Sequence, residues 1–255
     1  MKPKALVLQA HGSNRDFDVI EALTLAGADA IGVPLNELRS HKRLLSDFQL
    51  LVIPGGFSYA DALGAGKLLA LDLASYFVDE ISAFVDSGKP VIGICNGFQA
   101  LVKAGILPGN HDGATLTFNA QGHFECRWVT LKPISQKCIW TNGLDELIEC
   151  PIAHGEGNFQ VGEHFPLSTF YAEEQIALIY THTSGSLANG EYPTNPNGSI
   201  LDIAGICNPQ GNVLGLMPHP ENHIHPHQHP QWTRGISHRS GLILFKNGVK
   251  YTSQV

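Results

Sequence analysis

The stretch Pro90-Val91-Ile92-Gly93-Ile94-Cys95-Asn96-Gly97-Phe98-Gln99 restricts what this chain can fold into more than any other. Val91–Ile94 is a short apolar run, the pattern of a buried strand. The run breaks at Cys95, and residues 98–104 read as a helix that Gly105 closes. Gly93-x-Cys95-x-Gly97 is the thiol form of the Gly-x-Ser-x-Gly nucleophile elbow. A strand-to-helix turn that sharp leaves no room for Cβ atoms beside the nucleophile. The positive N-terminal end of the following helix favours thiolate at the sulfur. Taken alone, Cys95 could equally be a buried core cysteine.

The elbow sits in an alternating pattern. Apolar runs at 5–8, 30–33 and 48–53 predict strands, the last ending at Pro54-Gly55-Gly56. Asp16 is expected to cap a helix reaching Ala26, with Ile20, Leu23 and Leu25 on its apolar side and Gly27 as its stop. Two more helices are predicted over 65–73 and 77–85. Strands alternating with helices predict an α/β fold with a doubly wound, mostly parallel sheet of flavodoxin-like type. Functional residues in such a sheet gather at the carboxyl ends of strands, where Cys95 and Gly55-Gly56 both lie. From Gly113 onward the texture changes to shorter β-type runs, at 116–118, 128–131, 177–180 and 213–217, separated by Gly, Asn and Pro turns. No repeat, low-complexity linker or charge run marks a boundary, so 1–255 reads as one domain with β-rich additions.

Bulk properties exclude several functions. A net charge of −7 with no Lys/Arg cluster argues against nucleic acid or an acidic membrane as partner. The five cysteines include no Cys-x-x-Cys pair, so neither a zinc knuckle nor a disulfide framework is indicated, and a reducing compartment fits. The start at Met1 runs directly into a strand without a signal-peptide core, and no apolar span is long enough to cross a bilayer. A cytoplasmic location is the expectation.

A nucleophilic cysteine needs a base and an oxyanion hole. Met217-Pro218-His219-Pro220-Glu221 follows an apolar run directly. In extended backbone, residues i and i+2 share a side, and Pro220 stiffens the pair, so Glu221 can orient the His219 ring and stabilise its imidazolium. Cys95, His219 and Glu221 form the candidate triad. The backbone N–H groups of Asn96 and Gly56 are the candidate oxyanion donors.

Gly-Ile-Cys-Asn-Gly-Phe-Gln together with Pro-His-Pro-Glu resembles the class I (triad) glutamine amidotransferases. Further runs narrow the resemblance: Gly55-Gly56-Phe57-Ser58-Tyr59-x-Asp61, Asn119-x-x-x-x-Phe124-Glu125-Cys126-Arg127-Trp128-Val129, Ala153-His154-Gly155-Glu156-Gly157, and Tyr192-Pro193-x-Asn195-Pro196-Asn197-Gly198-Ser199. Together they are similar to the separate glutaminase subunits of phosphoribosylformylglycinamidine synthase, over nearly the whole chain. The resemblance implies that Cys95 attacks the carboxamide of glutamine, and that His219 shuttles protons while Glu221 holds it. It implies substrate contacts from Gln99, Gly55, Phe57, Asn119 and Phe124, the stretch from Asn119 to Arg127 holding the α-amino and α-carboxylate ends. It also implies ammonia transfer to a separate synthetase subunit, PurL, and in many organisms a small bridging subunit, PurS. ATP and Mg are expected on that partner, with no cofactor or metal in this chain. Three positions depart from the family pattern: Ala60 where Gly is usual, Arg15 where Cys is usual, and Asn222 where Arg is usual.

Other signals are discounted. Histidines 219, 223, 225, 227 and 229 are crowded together, but the spacing is not His-Glu-x-x-His and the interspersed prolines forbid a regular helix. A solvated or partner-facing loop is expected there. Gly64-Ala65-Gly66-Lys67 lacks the first Gly and the Ser/Thr of a P-loop. His154 and Glu156 could form a second acid/base pair, but their glycines are read as shaping a loop near the partner or the ammonia exit, and residues 192–199 as a turn cluster or docking loop. Two rival readings stay open: another thiol hydrolase on the same elbow, such as a γ-glutamyl peptidase, and a non-catalytic interaction subunit.

Overall fold

The structure, a computed structural model, describes residues 2–109, 113–235 and 239–254. In chain order the elements are β1 (Lys4–Gln9), α1 (Asp16–Ala26), β2 (Asp29–Pro34), α2 (Leu35–Arg39), β3 (Leu50–Ile53), α3 (Lys67–Tyr76), α4 (Val78–Asp86), β4 (Val91–Ile94) and α5 (Asn96–Lys103). There follow β5 (Ala114–Thr117), β6 (Glu125–Pro133), β7 (Ile148–His154), β8 (Asn158–Val161), α6 (Leu167–Ala172), β9 (Ile176–Thr181), β10 (Ile203–Cys207), β11 (Val213–Leu216) and α7 (Leu242–Tyr251).

Nine of these strands make one mixed sheet in the order β2-β1-β3-β4-β11-β10-β9-β6-β7. Its first five strands pair in parallel, in the flavodoxin-like order with β11 as the fifth. The remaining four are antiparallel additions from the second half of the chain. This is the α/β, mostly parallel, doubly wound core with β-rich additions that the alternating pattern predicts. Strands β3 and β4 are buried at every position, as expected where helices cover both faces of a parallel sheet. β5 and β8 form a separate two-stranded pair.

Boundaries differ in instructive ways. Helix α1 spans the expected residues and ends at Gly27, whose φ of 104° is the left-handed stop a helix of this kind uses. Its N-cap position is Arg15, however, and Asp16 begins the helix rather than capping it. The Asp16 carboxylate instead accepts from the Gln9 side-chain amide, tying the helix to the end of β1. Leu25 is exposed, and Val19, Ala22 and Leu23 form the buried face. Helix α7 carries no cap signal in the sequence. It packs on the fully buried Trp140, whose ring occupies the place a Cβ on Gly248 would take.

The elbow is bounded by contacts that only glycine allows. A Cβ on Gly97 would lie 1.9 Å from the Ile53 carbonyl oxygen, and one on Gly93 would lie 2.8 Å from the Gly97 carbonyl oxygen. The end of β3, the end of β4 and the first turn of α5 therefore touch backbone to backbone. Gly97→Ala should cost about 3 kcal/mol, the upper end of ordinary overpacking, because the atom it strikes is main chain and cannot swing aside. Chemical denaturation measures this; an unchanged midpoint would contradict the backbone contact.

Candidate active site

Cys95 stands between β4 and α5 with φ 50° and ψ −104°, a conformation L-residues seldom adopt. The surrounding core fixes that strain, since every α5 residue from Asn96 to Val102 is buried. Parallel pairing sets β11 beside β4, Leu216 opposite Ile94, so the chain leaving β11 brings His219 to the cysteine. A Cβ on Gly55 would strike His219 Cε1 at 2.6 Å and come within 3.5 Å of Cys95 Cβ, an ordinary contact distance. Gly55 at the end of β3 is thus the floor on which imidazole and thiol meet.

His219 Nδ1 lies 2.7 Å from Glu221 Oε1, and both side chains are buried. The extended i, i+2 geometry expected for this pair is replaced by a single turn of 3-10 helix beginning at Pro220. Burial alone would push the His219 pKa down. The charges of Glu221 and Cys95, and hydrogen bonds to both, outweigh it and raise the value to about 10. A ring protonated through the neutral range can release its proton to a leaving group.

The cavity at the sulfur holds about 150 Å³ and is lined by Gly56, Phe57, Asp61, Gln99, Phe118, Phe124 and the run from Ala153 to Glu156, among others. Gly56 has φ 138°, and a Cβ there would clash with Gly12 and Asn14 main chain. The contact between residues 12–14 and 55–57 uses the N–H groups of Asn14 and Phe57, not that of Gly56. The Asn96 N–H, in the first turn of α5, has no carbonyl within its own helix to meet.

Several expected substrate contacts are differently employed. Asn119 is buried beneath the cavity, and its amide is already saturated. Its Nδ2 donates to the carbonyls of His123 and His154, while Oδ1 accepts from the Gly157 N–H and His154 Nδ1. The structure therefore places Asn119 as a brace and not in the cavity wall. Gln99 does line the cavity, but its Nε2 donates to the Glu156 carbonyl at 2.6 Å and its Oε1 accepts from Asn96 Nδ2 at 3.1 Å. Phe57 and Phe124 stack at the rim with ring centroids 6.5 Å apart. Arg127 is bound to Glu125 and Tyr192, away from the sulfur.

Sequence reasoning passed over His154 and Glu156 as wall residues. Both line the cavity, and the Ala153 carbonyl oxygen lies 3.8 Å from Cys95 Sγ. Glu156 accepts from the Ala65 N–H and pairs with Lys103 at 3.4 Å, binding the wall to α5 and to the loop before α3. Residues 192–199 prove to be the outer support of that wall: Asn197 Nδ2 and Ser199 Oγ both donate to the Gly157 carbonyl. The crowded histidines are not one solvated loop either. His223 and His229 are buried against Trp128, at ring distances of 5.2 and 4.8 Å. Among the described residues no group of three His, Cys, Asp or Glu side chains is placed to hold a metal ion, and no helix is long and apolar enough to cross a membrane.

Two departures from the family pattern meet at one carboxylate. Arg15 Nη1 and Asn222 Nδ2 both donate to Asp18, at 3.2 and 3.1 Å. The third, Ala60, has φ 54° between Tyr59 at 54° and Asp61 at 52°.

Fold and site together define a class, the glutamine amidotransferases. The chain belongs to the family described as CobB/CobQ-like glutamine amidotransferase domain, whose model matches residues 2–252. Among curated relatives, the phosphoribosylformylglycinamidine synthase subunit PurQ of Treponema denticola is 53% identical over 268 residues, covering 98% of this chain and 99% of the relative. The PurQ subunit of Dehalococcoides mccartyi is 43% identical, covering 100% and 99%. A solved structure described as PurLQS from Thermotoga maritima matches with a TM-score of 0.75 at 33% identity, covering 98% of this chain and 99% of that one.

Two outcomes test this geometry. The ordinary histidine value is 6.5, against about 10 for His219 and about 3 for His154, which burial and the charge on His219 both lower. Above pH 6.5 the unfolded chain loses a proton that folded His219 keeps, so its contribution to stability fades as pH climbs towards about 10. Below 6.5 the unfolded chain takes up a proton that folded His154 refuses, so stability falls as pH drops towards about 3. Calorimetry across this range should find opposed limbs meeting near neutrality. Glu221→Gln should flatten the alkaline limb and His154→Asn the acid one; parallel profiles in all three proteins would refute the assignment. Separately, Ala60→Gly should stabilise the chain by about 1 kcal/mol by relieving a left-handed residue, raising Tm by roughly 2–4 °C.

Proposed function

We propose that this chain is the glutaminase subunit of a phosphoribosylformylglycinamidine synthase, acting through a Cys95-His219-Glu221 triad. The observation that carries the reading is the strained thiol at the end of β4 beside a buried, carboxylate-held imidazole, in a chain that aligns end to end with relatives named PurQ.

The chemistry follows from the atoms in place. The Cys95 thiolate attacks the side-chain carboxamide carbon of glutamine, and the oxygen that gains charge is met by the Gly56 and Asn96 amides. The tetrahedral adduct collapses by breaking the C–N bond, and the nitrogen takes the proton of His219 as it leaves as ammonia. A γ-glutamyl thioester remains on Cys95. Water then gives its proton to His219 and attacks the thioester, which releases glutamate and restores the thiolate. Glu221 holds the ring in position and stabilises its cationic form through both steps.

In this reading the ammonia passes to the synthetase subunit, PurL, which aminates formylglycinamide ribonucleotide using its own ATP and Mg; this chain contributes no cofactor. A small bridging subunit, PurS, completes the assembly. Exposed Phe57, Leu63, Phe118 and Phe124 support placing the partner at this end of the sheet, since three of them also ring the cavity mouth.

Cys95→Ala should abolish glutamine-dependent amination in the assembled enzyme, by at least about a thousandfold, while added ammonia still supports synthesis at the unmutated rate. Steady-state assays with either nitrogen source measure this. Loss of both activities would refute the proposed division of labour.

A further inference from the structure

Among the described residues, the carboxylates that line the catalytic cavity are Asp61 and Glu156, and no Lys or Arg lines it. The two carboxylates differ in what they meet. Glu156 pairs with Lys103 and accepts from the Ala65 N–H, and Lys103 is held further by the Ala65 carbonyl. Asp61 is half-buried, and its carboxylate accepts from Asn96 Nδ2 at 3.1 Å and from the Gly66 N–H. Both donors are neutral, and among the described residues no cation stands within ion-pair distance of Asp61. A carboxylate can accept about four hydrogen bonds, so lone pairs remain. Burial raises the Asp61 pKa, the Gly66 N–H lowers it, and the charge on Glu156 raises it again, for a net rise. A carboxylate in that position is one whose charged form an added cation stabilises. Glu125, the acid within the stretch that the family resemblance assigns to the substrate's amino end, offers no such opening. It is buried and closed off by Arg127 at 2.6 Å and His123 at 3.0 Å.

We infer that Asp61 receives the α-ammonium group of the substrate, a contact that restricts the cavity to the amide of a free α-amino acid. The inference rests on the glutaminase reading above and adds a recognition residue to it. Three C–C bonds separate the carboxamide carbon of glutamine from the carbon that bears its ammonium. A glutamine whose carboxamide meets Cys95 therefore keeps its cation inside, or at the mouth of, the same cavity of about 150 Å³. Cys95 and Asp61 both line that cavity, and Asn96 joins them: it follows Cys95 in the chain and bonds Asp61 through its side chain. An ammonium at Asp61 makes a charge-assisted hydrogen bond to a carboxylate that otherwise has none. A glutamine side chain within a polypeptide has no ammonium, so it would cover Asp61 and leave the carboxylate without a cation. Rejection through an unmet polar group is the strong form of discrimination. The site is thereby closed to protein glutamines and open to the free amino acid.

Glutaramate, which is glutamine without its α-amino group, separates recognition from support. In the complete enzyme with its synthetase, wild type should prefer glutamine over glutaramate roughly ten- to hundredfold in kcat/KM. Asp61→Asn keeps an oxygen for Asn96 Nδ2 and removes the charge. It should raise KM for glutamine roughly ten- to hundredfold and leave kcat within about threefold of wild type, because the ammonium is the same in ground and transition states. For glutaramate its kcat/KM should stay within about threefold of wild type, so that the preference disappears. Equal losses on both compounds, or a fall in kcat for glutamine at unchanged KM, would overturn the proposal and leave Asp61 a brace for its loop. Should Asp61→Asn not assemble, or glutaramate turn over too slowly to measure, ¹³C spectra of aspartate carboxyl groups in the Cys95→Ala complex answer the same question. One aspartate side chain should titrate at lower pH with glutamine bound and not with glutaramate, since a neighbouring cation favours its charged form. Bound glutamine that moves no aspartate titration would overturn the proposal. If wild type cleaves no glutamine at all, the glutaminase reading itself fails, a result distinct from these.

Discussion

The site depends on the ends of β3 and β4 and the first turn of α5 approaching one another with nothing but backbone between them. Ile53 at the end of β3 presses its carbonyl on Gly97, and Gly55, two residues on, lies under both the Cys95 side chain and the His219 ring. A methyl group at Gly97 would strike the β3 main chain, and one at Gly55 would strike the His219 ring. The left-handed φ of Cys95 persists because β4 enters and α5 leaves through this contact, with no slack on either side.

Around this rigid centre the wall is built in relays. Residues 192–199 hold Gly157, Gly157 and Asn119 hold His154, and Glu156 ties the same turn to α5 through Gln99 and Lys103. Asn96 completes the ring by accepting from the Ser58 N–H and donating to Asp61, which fixes the loop that carries Gly56. The side chain of the residue after Cys95 therefore ties the start of α5 to the loop that follows β3.

What the sequence made legible was whatever has a local signature. The elbow glycines, the apolar runs of β1, β3 and β4, and the Pro-His-Pro-Glu pairing can each be read within a few residues, because turn sterics and alternation act over that range. Asn119 could not be read so: its neighbours in sequence mark a family motif, yet its role is fixed by His154 and Gly157, thirty-odd residues downstream, and only tertiary structure shows that its four hydrogen bonds are already taken. His223 and His229 failed for a related reason, since a proline-rich run looks solvated until Trp128 of β6 is seen to pack on it. Asp16 shows the smallest error, one position at a helix start, and its cause is a competing bond from Gln9 on another element.

The wall beside the sulfur and the rim above it differ in what surrounds them. Asn119, Asn197, Ser199 and the Glu156 carboxylate have their partners within the chain. Above it, Phe57, Phe118 and Phe124 stand exposed at the cavity mouth, and the loop that follows runs through consecutive left-handed residues from Tyr59 to Asp61. Left-handed backbone at non-glycine positions costs free energy in the isolated chain, and a surface that buries the aromatics beside it can offset that cost. Gly56 is joined to this loop directly, and the Asn96 side chain bonds the same loop at Ser58 and Asp61, so a force on the rim reaches the turn that carries Cys95 through those two hydrogen bonds.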